Sequence, residues 1–129
     1  MKRIYFIIFL LAFLTSCEKK SNDGSIANII IGKWEWVKSC GGFTGGCWYP
    51  SVNNTKQVEF TSSHRYITSF NGTKTIDEPY SFGESHVDGN MKYYTLVLSD
   101  GWSTTFWFTS KDSLEMVGGD FVKSYNRIK

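Results

Sequence analysis

The chain divides into two hydrophobic regimes. Ile4 to Leu14 are 11 consecutive apolar residues behind the basic pair Lys2 and Arg3. A helix needs about 20 apolar residues to cross a bilayer, whereas the apolar part of a secretory signal peptide spans roughly 7–15. The run therefore reads as an export signal and not as a spanning helix, and the flanks weigh against a buried core helix.

From Ser25 onward the pattern changes to alternation. A short "SIANIII" segment predicts one helical turn with Ser25 as its N-cap. Eight β-runs come after it: "GKWEWVKS", "KQVEFTSS", "HRYITSFN", "TKTIDEPYSFGE", "NMKYYTLVLS", "GWSTTFWFTS", "SLEMV" and "DFVKSYNRIK". They are rich in β-branched and aromatic residues, and most alternate with period two. The separators are turn formers: Asn71-Gly72, Asp88-Gly89, Asp100-Gly101, Lys111-Asp112 and Gly118-Gly119. Asn-Gly and Asp-Gly between alternating runs are strong hairpin signals. Pro79 demotes part of the fourth run to an edge or a bulge. No run suits a crossover helix, so the expected fold is all-β, an eight-stranded antiparallel up-and-down barrel, with a two-sheet sandwich as the alternative.

One face of each run is the more apolar. Trp34 and Trp36 share a face, as do Val58 and Phe60, and Tyr94, Leu96 and Leu98. Trp102, Phe106 and Phe108 form another such face, and Leu114 and Met116 the last. Alternation of this kind marks strands with one buried side.

The junction between the two regimes reads Leu14-Thr15-Ser16-Cys17. It resembles the lipobox of bacterial lipoproteins: an aliphatic residue, two small ones, then cysteine. The resemblance implies cleavage before Cys17, acylation of its thiol, and a lipid anchor in a bacterial cell envelope, most naturally at the outer membrane. Each buried methylene contributes about 0.8 kcal/mol, and stable anchoring takes more than one chain. The expected organisation is a signal peptide over 1–16, lipidated Cys17 with a polar tether over 17–25, and a barrel over 26–129. The tether "EKKSNDG" reaches at most about 25 Å when extended. Its charges also resemble surface-export signals of some lipoproteins, with a solvated linker as the equal alternative.

Cleavage changes the electrostatics. The formal charge of +2 resides in Lys2 and Arg3, and residues 17–129 balance 12 basic against 12 acidic side chains. A neutral chain without a basic cluster offers no footprint for nucleic acid. With Cys17 assigned to lipid, Cys40 and Cys47 remain, on either side of "GGFTGG". In an oxidising compartment such a pair reads as a disulfide. A closed loop of about eight residues contributes roughly 2.5 kcal/mol in the chain-entropy model. A metal site is the competing reading, and it lacks further ligands at zinc spacing, since His64 and His86 stand alone. No metal and no cofactor are expected.

Gly32-Lys33-Trp34, a glycine-rich first loop, "QVEF" and the ending "SYNRIK" occur in that order. The set resembles the lipocalins, and more closely the small lipocalin-like lipoproteins of bacteria, over about residues 26 to 129. The resemblance implies that Trp34 closes one end of the barrel and that Arg127 packs across it. A guanidinium on an indole gains about 0.5–2 kcal/mol.

No constellation for catalysis is present. There is no nucleophile elbow, P-loop or dinucleotide fingerprint, and Asp77 and Glu78 read as solvated turn residues. The chain is not expected to be an enzyme. Two readings remain open: a carrier of a small hydrophobic ligand in the barrel, or a filled barrel that binds a protein through Phe43, Trp48, Tyr49 and Trp107. For a ligand-lined barrel the expected wall residues are Trp36, Phe60, Tyr66, Tyr94 and Phe106, large aromatics in mid-strand.

Overall fold

A computed structural model describes residues 23–129. The expected signal peptide, the lipidation site Cys17 and most of the tether lie outside the described residues.

The first element is helix α1 (Asp23–Ile30). It takes in the last three residues of the expected tether, so Ser25 lies within the helix and not at its N-cap. Ile26 and Ile30, four residues apart, are buried, while Ile29 is exposed. That spacing puts one apolar stripe on the barrel end.

Ten strands succeed it: β1 (Gly32–Gly41), β2 (Gly46–Trp48), β3 (Lys56–Phe60), β4 (Arg65–Phe70), β5 (Thr73–Phe82), β6 (His86–Asp88), β7 (Met91–Leu98), β8 (Ser103–Ser110), β9 (Ser113–Gly118) and β10 (Phe121–Arg127). Eight of them run around in the order β1-β3-β4-β5-β7-β8-β9-β10. The ladder closes where β10 pairs antiparallel with β1, from Trp34↔Arg127 to Gly41↔Phe121. The fold is thus a closed eight-stranded antiparallel barrel, compatible with a lipocalin-like fold. A sandwich would have left the sheets open.

Two short strands go beyond the expected eight. β2 folds back on the end of β1, pairing Cys40 with Cys47, and the two are joined by a disulfide. β6 lies beyond the fourth run, after a break at 83–85, and pairs with the first half of β7. The turn signals fall where the chain reverses. Asn71 and Gly72 take φ of 49° and 79°, the left-handed values that a tight hairpin requires.

Pro79 marks where the wall changes. Residues 73–79 of β5 pair only with β4, and pairing with β7 begins at Tyr80. The Pro79 carbonyl accepts from the Ser99 N–H at 3.1 Å, so the ring nitrogen faces the same side, beyond the β7 ladder. No ladder bond is lost there, and one edge of β5 stays free.

Candidate functional site

The two ends of the barrel differ. At the α1 end the Trp34 indole is fully buried and donates to the Ile30 carbonyl at 2.9 Å. The Arg127 guanidinium lies 4.1 Å from the Trp34 ring centre. It also donates to the carbonyls of Ile31 (2.8 Å) and Ile29 (2.6 Å) and pairs with Asp112 at 3.4 Å. Above this lid the interior is packed with rings. Phe60 meets Tyr80 edge-on at 5.4 Å, and Tyr94 stacks on Phe106 at the same spacing.

The opposite end is open. A cavity of about 590 Å³ lies between β3, β4, the free edge of β5, the turn at 99–102, and the ends of β9 and β10. Val58, Leu98 and Met116 supply apolar wall, and Tyr66, Tyr125 and Thr68 supply hydroxyls. Phe70, Ile76 and Trp102 stand on the rim, 41%, 41% and 43% exposed. Apolar side chains left in water around a cavity are what a ligand portal offers.

The electrostatics divide the mouth into two sides. On the β5 side every carboxylate is engaged. Lys74 and Arg65 hold the Asp77 carboxyl below the usual range by hydrogen bonds, at 2.9 and 2.8 Å. Glu78 accepts from the Ser99 hydroxyl, and Asp100 from the Trp102 N–H at 2.8 Å. On the β3 and β10 side stand Lys56 and Lys123. Lys56 Nζ lies 4.8 Å from the Trp36 ring centre. Burial, then repulsion from Lys56, lowers the Lys123 pKa. Burial pushes the Tyr66 hydroxyl up to about 12, and it raises Tyr125 as well, with Tyr66 adding to the effect.

Of the five aromatics expected on a ligand wall, Tyr66 alone lines this cavity. Phe60 and Phe106 are fully buried in the packed half, and Tyr94 packs beside Phe106 under Lys92. Trp36 donates to the Ser39 hydroxyl and borders a neighbouring recess of about 270 Å³, which shares Lys56 and Lys123 with the main cavity. Phe60, Tyr94 and Phe106 are displaced from the expected wall because an eight-stranded barrel is narrow enough for mid-strand rings to meet and fill it, whereas Trp36 faces the recess.

Sequence reading missed Tyr125, Lys56 and Lys123. The signal was parity. Lys56 shares its face with Val58 and Phe60, and Lys123 with Tyr125 and Arg127. Of the expected surface anchors, Phe43, Trp48 and Tyr49 are exposed on the loop braced by the disulfide, whereas Trp107 is partly buried against Tyr93. Among the described residues no group of His, Cys, Asp or Glu is arranged to hold a metal ion. No protein family, no curated protein and no solved structure is matched by this chain.

Proposed function

We propose that this protein is a lipid-anchored, lipocalin-like lipoprotein of the bacterial cell envelope that takes a small hydrophobic ligand into its barrel mouth. The observation that carries the reading is the cavity of about 590 Å³, lined by Tyr66, Leu98, Met116 and Tyr125 and ringed by exposed apolar side chains. A barrel mouth of this kind suits a ligand held by apolar contact and oriented by a few hydroxyls. The anchor reading is supported by the 11-residue apolar run that ends at the lipobox-like Cys17. The site's carboxylates are committed to structural bonds, so the reading includes no catalytic step.

The exposed Phe43, Trp48 and Tyr49 favour a second reading, a protein-binding accessory role through the surface at and just after the disulfide-braced loop. Native mass spectrometry of the protein purified from its own cells separates the two. A bound small molecule, displaced by substitutions in the mouth, supports the carrier. A stoichiometric protein partner, lost on Phe43→Ser and Tyr49→Ser, supports the accessory role. Cys17→Ser tests the anchor on its own: the variant is expected to leave the membrane fraction or to accumulate uncleaved, and wild-type fractionation would contradict lipidation.

A further inference from the structure

Lys56 and Lys123 are two like charges held at one rim without a counter-ion. Among the described residues no carboxylate lies within ion-pair distance of either, although four other cations have such partners. Both are positioned by packing. Lys56 lies over the Trp36 ring, and the Lys123 stem lies along Gly118, where its Nζ would be 2.8 Å from any added Cβ. A Cβ at 118 would push that flexible stem aside. The half-buried ammonium of Lys123 is disfavoured by burial and by its lysine neighbour, and no opposing charge offsets either. Two further donors, the Tyr66 and Tyr125 hydroxyls, line the same cavity, and both stay protonated at neutral pH.

Unpaired, partly desolvated cations beside neutral hydroxyl donors form a receptor for an anion. On the opposite side Asp77 is paired with Lys74 and Arg65, while Glu78 and Asp100 are oriented by the Ser99 hydroxyl and the Trp102 N–H and keep their charge, so the anion receptor lies on the lysine side alone. That side supplies instead the apolar rim of Phe70, Ile76 and Trp102. The mouth is therefore amphipathic across its width. We propose that it selects an anionic amphiphile, its headgroup held by Lys56 and Lys123 with Tyr66 and Tyr125, and its apolar chain lying along Leu98 toward the Phe70–Ile76–Trp102 rim. The proposal rests on the ligand-carrier reading and adds the chemical class of ligand.

The test compares submicellar dodecanoate, dodecan-1-ol and dodecyltrimethylammonium by isothermal titration with the full chain. Dodecanoate is expected to bind best and the trimethylammonium compound worst. Lys56→Gln and Lys123→Gln are each expected to weaken dodecanoate about tenfold, the usual scale for one charge-assisted hydrogen bond. Both should leave dodecan-1-ol unchanged, and Lys56→Arg should restore most of the loss. Thermal melts confirm that the variants fold. Equal affinity for alcohol and carboxylate, unmoved by the lysine substitutions, would overturn the headgroup assignment and leave the hydrophobic carrier standing. No uptake of any of the three by wild-type protein would overturn the carrier reading and this proposal with it.

Discussion

The packed end and the open mouth are built from the same eight strands, and they differ in what those strands place inward. From the α1 end toward the mouth, β3 presents Phe60, Val58 and Lys56, and β8 presents Phe108, Phe106 and Thr104. Over the same span β9 presents Leu114, Met116 and Gly118, and β10 presents Arg127, Tyr125 and Lys123. The rows of β3, β8 and β9 run from apolar side chains to Lys, Thr and Gly at the mouth, and β10 passes from Tyr125 to Lys123. The lower half fills because rings meet rings, and the cavity opens where the rows end in Thr, Gly and Lys. The free edge of β5 widens it further, since the wall there has one neighbour in place of two. Closed and open ends thus arise from a change of side-chain character along the strands of one fold.

Substitutions at the two ends should separate cleanly in stability. Phe60→Ala at the packed end should cost about 3–5 kcal/mol in chemical denaturation, as expected for a ring removed from a filled core. Arg127→Ala should cost roughly 2–4 kcal/mol, because it removes the stack on Trp34 and leaves the carbonyls of Ile29 and Ile31 without their donor. A loss under about 1 kcal/mol at either position would mean that the lower half is not packed as described.

Alkaline pH probes the boundary between the halves. The folded-state pKa of Tyr66 is raised to about 12 from 10.0, so the stability linked to its neutral form is complete below pH 10. It is lost as pH rises through 12, because the unfolded chain releases that proton first. Two pK units correspond to roughly 2–3 kcal/mol. Tyr66→Phe should therefore resist unfolding between pH 10 and 12 better than wild type, as read from melts across that range. Identical alkaline profiles would place the hydroxyl in water and remove it from the cavity wall.

Opening the Cys40–Cys47 bridge by the double Ser variant should lower stability by roughly 2 kcal/mol, with intact-mass measurement showing both thiols blocked in the unreduced wild type. At the rim the effect should be smallest. Ile76→Ser should shift stability by under about 0.5 kcal/mol while weakening uptake of an apolar ligand.

Fold is more legible in this sequence than site, for a physical reason. Turn chemistry and period-two alternation are local, so Asn71-Gly72 and Gly118-Gly119 mark reversals wherever they stand. Buried rings such as Trp34, Phe60 and Phe106 likewise declare their face. Which end of a barrel is full depends on which rows converge, and that is not local. Ranking aromatics as wall residues therefore favours Phe60, Tyr94 and Phe106, which pack into the filled half, and passes over Lys56 and Lys123, whose parity already places them inward. Trp102 shows the opposite failure. Spacing groups it with Phe106 and Phe108, but Gly101 at φ 88° and the Asp100 bond to the Trp102 N–H hold it in the turn, at the rim.

The most direct test of the open mouth is titration with a neutral environment-sensitive dye, N-phenyl-1-naphthylamine, of wild type and Thr68→Trp. Thr68 faces the cavity from β4 and is only partly buried, so an indole there should fill the space without disturbing the packed rings. Saturable dye uptake by wild type, abolished in a Thr68→Trp variant that melts within a few degrees of it, is the predicted result. No saturable uptake by wild type, or equal uptake by both proteins, would contradict a ligand site in the barrel mouth.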